Sequence, residues 1–382
     1  MTAFTRISFR VKAVKDTSFL GRWWWTLDHW TVAAIALLIG FGVIMILSAT
    51  PPVADRLGFD LYYFVTRQLF FLPIGIIGLT VVSLMSPRGI QRLAITALIL
   101  STGLLLSTFF IGSEIKGARR WINILSFSLQ PSEFVKPAFA VVTAWLFTMH
   151  RNQEKIIGRN LAIFLYVSIV AMLLMQPDLG MAVIVSVVWF TQFFLAGLPL
   201  IWVGVFVAMG IIGGVSAYLF LPHVASRVDR FIDPSSGDSY QISHSLQAFM
   251  NGGAFGRGPG EGSIKTRLPD AHTDFVFAVA AEEFGLIACL ILVGLFAFIV
   301  LRGFTRVIKE TNFFILLAVT GLLVQFGLQA LVNMCSTLRL MPTKGMTLPF
   351  VSYGGSSLLS VSLCLGMVLA LTRYRAGQET GI

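Results

Sequence analysis

The 382-residue chain is 56% hydrophobic and only 12% charged, and its mean hydropathy is +0.83. This composition excludes an ordinary soluble globular domain and predicts a polytopic membrane protein. The formal net charge of +10 would favour a nucleic-acid partner in a soluble protein. In a membrane protein the positive-inside rule places lysines and arginines preferentially in cytoplasmic loops. The net charge therefore does not indicate a nucleic-acid partner, and none is expected.

Residues 1–28 are expected to form a basic cytoplasmic tail that ends in the aromatic cluster Trp23, Trp24 and Trp25. Beyond the tail, apolar runs of about 17–25 residues predict an all-α integral membrane protein with about ten transmembrane helices. The predicted spans lie near 30–49, 67–85, 91–112, 131–149, 160–176, 178–196, 199–221, 275–301, 311–334 and 353–372. They form a transmembrane domain over 29–372, followed by a cytoplasmic tail at 373–382.

Lysines and arginines are denser in the short loops on one side of the predicted bundle. This places both termini in the cytoplasm and leaves 222–274 as a large outer loop between the seventh and eighth spans. Many cations nevertheless remain outside, where insertion selects against them. They either pair with membrane lipids and local acids or serve an anionic substrate such as a lipid phosphate or pyrophosphate.

Local signals predict three features of the connections between spans. Gln176-Pro177-Asp178 is all that separates the fifth and sixth spans, which predicts a helical hairpin. In the outer loop, Tyr240 to Met250 predicts a short amphipathic helix, ended by the cap signal Asn251-Gly252-Gly253. The following GAFGRGPGEG is predicted to be a flexible flap, because Pro259 interrupts the pattern of a nucleotide-binding loop.

The stretch Lys265 to Gly285 passes from a polar loop into an apolar helix and carries His272, Thr273 and Asp274 to the membrane surface. Asp274 is the first catalytic candidate. With a helix that begins near Thr273, its carboxylate would lie in the first turn, where the helix dipole favours the ionised form. The alternative is a simple capping aspartate.

Acids and a lysine also fall inside predicted spans. Glu133 and Lys136 are spaced i, i+3 and can pair on one helix face. Such a pair is weak evidence for stability, so it indicates a polar cavity, which Asp178 can also reach. At least one of Glu282 and Glu283 is expected to face the interior, and the pair is expected to act as partners of a cation from a neighbouring helix rather than as catalytic groups.

Two outer basic clusters complete the pattern. Lys116 and Arg120 lie beside Trp121, and Lys344 precedes Gly354-Gly355, whose backbone N–H groups can face an anion. We therefore expect a polar, cation-rich outer cavity that contains a few acids. The residues alone do not separate an enzyme acting on a lipid phosphate from a carrier that moves one.

Six motifs over nearly the whole chain resemble the SEDS family of bacterial shape, elongation, division and sporulation proteins. The stretch Pro342 to Gly345 looks more like the division branch than the elongation branch. The six motifs are GARRWI (Gly117 to Ile122), QPSEFVK (Gln130 to Lys136), QPDLG (Gln176 to Gly180), YQISHS (Tyr240 to Ser245), LPDAHTDFVFAVAAEEFG (Leu268 to Gly285) and LPFVSYGGSSLL (Leu348 to Leu359).

This resemblance implies a peptidoglycan glycosyltransferase that polymerises lipid II at the periplasmic face of the inner membrane, at the division septum. It implies that a class B penicillin-binding protein, the transpeptidase FtsI, and other divisome membrane proteins are partners. It also assigns Asp274 as the essential acid. The cavity residues that it implies are Arg120, Glu133, Lys136 and Asp178.

We interpret Asp274 as the general base, because the leaving pyrophosphate is already an anion and needs cations rather than a second acid. The cations expected to share the pyrophosphate are Lys116, Arg120, Lys265 and Lys344. His272 and Ser352 complete the expected substrate contacts. A divalent cation, Mg or Mn, can share the charge, although no dedicated metal-ligand cage is evident.

The rival functions are a lipid II flippase and a non-catalytic division scaffold. A flippase is less favoured, because the chain shows no internal repeat and its candidate groups cluster toward one face. Two stretches depart from the family pattern. Asn333 to Arg339 is more polar than expected, and the predicted flap contains Pro259 and Glu261.

Overall fold

The structure is a computed structural model that describes residues 18–115, 118–124, 127–153, 156–197, 200–220, 222–232, 240–342 and 345–374. The helices are α1 (Phe19–Thr26), α2 (His29–Ala49), α3 (Pro51–Arg56), α4 (Tyr63–Ser83), α5 (Pro87–Ile111), α6 (Pro131–Gln153), α7 (Ile156–Met175), α8 (Leu179–Leu195), α9 (Leu200–Phe220), α10 (Pro222–Ile232), α11 (Tyr240–Gly252), α12 (Val276–Val307), α13 (Phe313–Thr337) and α14 (Gly355–Thr372). The strands are β1 (Ser113–Ile115), β2 (Ala118–Ile124) and β3 (Phe127–Leu129).

The prediction of a helical integral membrane protein is confirmed. Within the described residues, seven helical segments are long and apolar enough to cross a membrane by length and composition. These segments correspond to α2 with α3, α4, α5, α7, α12, α13 and α14. Helices α6, α8 and α9 cover the other three predicted runs, and their status as spans, like the predicted total of ten, stays a prediction.

Helices α13 and α14 lie at the centre of the bundle. In the most apolar window of each segment, 72% of α13 and 78% of α14 is buried, against 22–39% in the other five. Small residues allow the close packing of α14 on α4. A Cβ at Gly75 would lie 2.5 Å from Leu358, and one at Gly366 would lie 2.9 Å from the carbonyl oxygen of Leu79.

The predicted α7–α8 hairpin is confirmed, with 176–178 as the only connection. A small antiparallel sheet beside it was not predicted, in which β2 pairs with both β1 and β3. Successive strand residues face opposite sides. Arg119 therefore points outward to Glu114, at 3.4 Å, while Arg120 reaches the hairpin carbonyls of Gln176 and Pro177.

The outer segment contains the predicted helix: α11 ends at Gly252, and Gly253 has a φ of +55° as expected of a glycine cap. The glycine-rich stretch after it is not a free flap, so that prediction is wrong. It docks against a break in α12, where Gly285 has φ +77° and ψ −178°. Arg257 and Gly258 donate their N–H groups to the carbonyls of Glu282 and Glu283.

The physical reason for this docking is the set of backbone groups that the break leaves unpaired. Leu286 and Ile287 donate their N–H groups to the carbonyls of Gly253 and Ala254, at 2.9 and 3.2 Å. The approach is close: a Cβ at Gly285 would lie 2.4 Å from the Ala254 oxygen. The glycines therefore serve an interlock between the outer segment and α12.

Candidate functional site

A cavity of about 630 Å³ opens where the N-terminal ends of several helices meet. Its charged lining comes from separate elements: Arg67 from α4, Arg120 from β2, Glu133 from α6, Asp178 at the start of α8, and Asp270 and Asp274 just before α12. The described lining therefore holds four carboxylates and two guanidinium groups. The prediction of a cation-rich cavity is wrong for these residues, while Lys116 and Lys344 lie outside the described residues.

Helix dipoles offset part of this excess of acids. Residues at or just before the N-terminal ends of α6, α8, α11, α12 and α14 line the cavity, and Arg67 lies about one turn into α4. Ser336, at the C-terminal end of α13, also lines it. Each helix N-terminus carries a partial positive charge of about half a unit. An anion in the cavity would therefore meet several converging dipoles as well as the two guanidinium groups.

Asp274 lies in a tight turn before α12. The expectation that it occupies the first helical turn is wrong, because α12 begins at Val276. Asp270 has a φ of +55°, a conformation that aspartate tolerates. Its carbonyl accepts the N–H groups of Thr273 and Asp274, both at 3.1 Å. This turn fixes the backbone of Asp274 and leaves its half-buried side chain on the cavity wall.

The Asp274 carboxylate packs against a second chain segment. A Cβ at Gly345 would lie 3.0 Å from its Oδ2. Gly345, Met346 and Thr347 all line the cavity on this side. Gly345 therefore leaves room for the carboxylate, which a larger side chain at this position would displace.

Ser352 and His272 support this turn from behind, and neither side chain lines the cavity. Their prediction as substrate contacts is wrong in this geometry. The Ser352 hydroxyl donates to the carbonyl of Thr273 and accepts the N–H of Leu348, at 2.8 Å. The His272 ring packs between Phe64 and Tyr353, and this burial lowers the pKa of His272 to about 4.

The predicted pair on α6 is confirmed: the Nζ of Lys136 lies 3.0 Å from Oε2 of Glu133. Glu133 lines the cavity, whereas Lys136 lies behind it and is only 2% exposed. Lys136 also donates to Oε1 of Gln329, at 2.8 Å. Its prediction as a direct substrate contact is therefore wrong, because both of these acceptors hold it in the protein interior.

Arg120 and Asp178 lie together on the cavity wall, as predicted. The Nη1 of Arg120 is 3.8 Å from Oδ1 of Asp178, and its Nε donates to the carbonyl of Gln176 at 2.9 Å. Asp178 caps α8 by accepting the N–H of Met181. A quarter of the Arg120 side chain remains exposed, so it can still contact an anion in the cavity.

Lys265 does not line the cavity, which contradicts its assignment to the pyrophosphate. It is 5% exposed and pairs with Glu283 at 2.5 Å, while it also donates to Ser48 and to the carbonyl of Gly260. The expected cation partner of Glu283 is thus confirmed, although it comes from the outer segment. Glu282 instead accepts backbone N–H groups, including those of Ser263 and Ile264 at 2.9 Å.

Sequence reasoning missed Arg67 and Asp270 as cavity residues. The Arg67 guanidinium lies 4.7 Å from the ring centroid of Tyr63 and 5.7 Å from that of Phe127. The sequence signal for Arg67 was its position at the start of an apolar run. The described residues contain no group of three or more His, Cys, Asp or Glu side chains suited to a metal ion.

Together these features define a multi-pass membrane protein with an acid-bearing cavity where helix N-termini converge. The family described as "Cell cycle protein" (FTSW_RODA_SPOVE) matches residues 29–377. The chain therefore belongs to this family, the SEDS proteins.

Individual relatives agree with this membership. A Caulobacter vibrioides protein named "Probable peptidoglycan glycosyltransferase FtsW" is 43% identical over 363 residues, which cover 95% of this chain and 93% of that protein. The Thermus thermophilus rod shape determining protein RodA is 28% identical, with a TM-score of 0.67 over 92% of this chain and 99% of RodA. The predicted likeness to the division branch is confirmed.

A further solved chain comes from the structure described as "Structural coordination of polymerization and crosslinking by a peptidoglycan synthase complex". It is 29% identical, with a TM-score of 0.75 over 91% of this chain and 98% of that chain. The fold of this protein is thus similar to that of a chain found within a peptidoglycan synthase assembly.

Proposed function

We propose that the protein is a peptidoglycan glycosyltransferase that polymerises lipid II, with Asp274 as its general base. The observation that carries this proposal is the position of the Asp274 carboxylate, on a rigid turn in a cavity of about 630 Å³ and directly across from Gly345. A base of this kind must come within about 2.6–3.2 Å of the group that it deprotonates.

In the proposed reaction a sugar hydroxyl enters the cavity beside Asp274 and attacks the anomeric carbon of a second lipid II. The new bond joins the hydroxyl oxygen to that carbon, and Asp274 takes the hydroxyl proton. The bond between the carbon and the pyrophosphate oxygen breaks with inversion, and the pyrophosphate leaves with the electron pair. No carboxylic acid is needed at the leaving group, unlike in glycoside hydrolysis.

The leaving pyrophosphate is stabilised in this proposal by fixed positive charge. Arg120 is the cavity cation carried over from the sequence prediction, and Arg67 is a second guanidinium on the same lining. The converging helix N-termini add to their field. Lys116 and Lys344 keep their proposed role as pyrophosphate ligands, outside the described residues.

The setting of this activity is also proposed. The cavity would face the periplasm and both termini the cytoplasm, with the protein at the division septum. Its partners would be a class B penicillin-binding protein, the transpeptidase FtsI, and other divisome membrane proteins. The structural likeness to a chain of a peptidoglycan synthase complex supports a partner that cross-links the new glycan.

The direct test is glycan formation from labelled lipid II by the purified protein with its transpeptidase partner. Asp274→Asn keeps size and hydrogen bonding but removes the base, so we expect polymerisation to be lost while the thermal unfolding midpoint is preserved. Glu114→Gln is the matched control. It makes the same chemical change at an exposed carboxylate that pairs with Arg119, and its activity should equal the wild-type activity.

Polymer from the Asp274→Asn variant at the wild-type rate would remove this residue from the mechanism. Lipid II movement across liposomes without any polymer, in the wild type, would instead identify a flippase. A wild type that does neither, while still binding its division partners, would identify a scaffold.

A further inference from the structure

Two amide side chains of α13, Gln329 and Asn333, face the segment opposite Asp274. They are spaced i, i+4 and so lie on one face of the helix. Gln329 is 2% exposed and Asn333 is 0% exposed. A buried amide is costly unless it is hydrogen-bonded, so the partners of these two side chains indicate their purpose.

Asn333 joins the turn that carries Asp274 to the segment packed against it. Its Nδ2 donates to the carbonyl oxygen of Asp274 at 3.0 Å and to that of Met346 at 2.6 Å. The residue before Met346 is Gly345, which backs the Asp274 carboxylate. One amino group therefore links the chain segment that carries the carboxylate to the segment that faces it.

Gln329 holds the same segment one residue further along. Its Nε2 donates to the carbonyl of Thr347 at 3.1 Å, while its Oε1 accepts from Lys136 at 2.8 Å. The Thr347 hydroxyl lies 2.6 Å from that of Ser357, and both residues line the cavity. The successive carbonyls of Met346 and Thr347 are thus held by amide side chains on consecutive turns of α13.

We propose that Asn333 is a positioning residue for the glycosyl transfer, which holds the turn that carries Asp274 against the segment 345–347 and so fixes where its carboxylate lies in the cavity. This inference rests on the proposed function, since it assigns a purpose to the position of the base. Without a donor between them, the carbonyl dipoles of Asp274 and Met346 would repel each other. A displacement of about 1 Å at a reacting group can lower the rate by about 10²-fold.

Two variants of Asn333 test the proposal. Asn333→Asp keeps the shape but replaces the donor with an oxygen that repels both carbonyls, and Asn333→Leu removes the donor without adding charge. We expect kcat to fall at least about tenfold with KM within about twofold of the wild-type value. Hydrogen–deuterium exchange should rise in 268–276 and 345–353, because these segments lose their common tie.

The matched control is Gln325→Leu. Gln325 is a buried amide of the same helix, 2% exposed, one turn before Gln329 and with no hydrogen bond to 345–347 among the described residues. Its kcat should stay within about twofold of the wild-type value, with no local rise in exchange. Gly345→Ala displaces the Asp274 carboxylate from the opposite segment and leaves α13 unchanged, because the new Cβ would lie 3.0 Å from Oδ2 of Asp274. It should also lower kcat.

Wild-type kcat and unchanged exchange in a folded Asn333 variant would overturn the proposal. Equal losses in Gln325→Leu would also overturn it, because they would reveal only a general loss of stability in α13. Should both Asn333 variants fail to fold, Gly345→Ala decides, and a wild-type kcat there shows that the position of Asp274 against this segment does not matter. Asp274→Asn in the same assay separates the two proposals. The activity of Asp274→Asn tests whether Asp274 is the general base, and the activity of the Asn333 variants tests whether Asn333 positions it.

Discussion

Lys136 is a cation held inside the protein by two acceptors, the carboxylate of Glu133 and the side-chain oxygen of Gln329. Its net contribution to stability is small, because desolvation of both charges opposes their attraction. Its structural effect is larger, since it connects a cavity carboxylate on α6 to the α13 side chain that holds Thr347. Removing Lys136 alone should therefore have a different effect from removing both Lys136 and Glu133.

Lys136→Met should be strongly destabilising because it leaves Glu133, only 4% exposed, without its counter-charge. We expect a loss of about 3–5 kcal/mol in the free energy of unfolding, seen as a lower thermal midpoint in detergent, together with reduced polymerisation.

The paired control for this change is the double variant Glu133→Leu with Lys136→Met. It removes both charges and should recover most of the stability without recovering activity, since the cavity loses a carboxylate. A single variant as stable and active as the wild type would show that the buried pair has no role.

At the scale of elements, the loop after α11 and the broken helix α12 satisfy each other's backbone hydrogen bonds. Gly285 lies in a region of backbone space that is essentially restricted to glycine, and the groups released there are paired by the stretch after α11. The buried pair of Lys265 with Glu283 fixes the next part of the same segment. The segment that leads into the Asp274 turn is thus anchored to α12 before the turn begins.

Gly285→Ala should therefore destabilise the protein by at least about 2 kcal/mol, because a Cβ would meet the Ala254 oxygen at 2.4 Å. Gly294→Ala is the control on the same helix, since a Cβ there has open space around it. That change should leave the thermal midpoint equal or slightly higher. Equal midpoints for the two variants would contradict the interlock.

The sequence predicted those elements whose signals are local. The end of α11 at its glycine cap and the α7–α8 hairpin are specified by a few adjacent residues. The interlock could not be predicted in this way, because it depends on backbone groups that become available only when α12 breaks at Gly285. The small sheet is equally non-local, since its strands are three to seven residues long and need one another to form.

At the scale of the whole molecule, the site forms where the outer segment meets α4 and α14. His272 lies at this junction, with its ring against Phe64 of α4 and Tyr353 just before α14, and its carbonyl accepts the N–H of Tyr353. The imidazole is 8% exposed, and burial outweighs the nearby Asp270 in setting a pKa of about 4. Protonation of this ring therefore opposes folding.

Stability should consequently be retained at neutral pH and lost as the pH falls from about 6.5, the usual value for histidine, toward about 4. Across that window the unfolded chain binds a proton that the folded chain does not, which amounts to at most about 3 kcal/mol. The measurement is the thermal midpoint between pH 7 and pH 4.5. His272→Phe should flatten the profile, and an unchanged slope would remove His272 as its source.

The candidate site was predicted in part, for a reason that is visible in its residues. Asp274, Asp178, Glu133 and Arg120 line the cavity as predicted. Lys265, His272 and Ser352 lie close in sequence to lining residues, but tertiary contacts direct their side chains away from the cavity. A pattern of residue types shows which groups can bind an anion, whereas their orientation depends on partners such as Ser48 and Phe64 that are distant in sequence.

The contact between Asp274 and Gly345 also has a consequence for the order in which the protein matures. One side of this contact belongs to the turn before α12, and the other belongs to 345–347, which the ribosome makes about seventy residues later. The interlock at Gly285 joins parts of the chain about thirty residues apart, so it can form early. Asp274 acquires its opposite wall only after the ribosome has made α13 and 345–347, so a shorter nascent chain lacks a complete site.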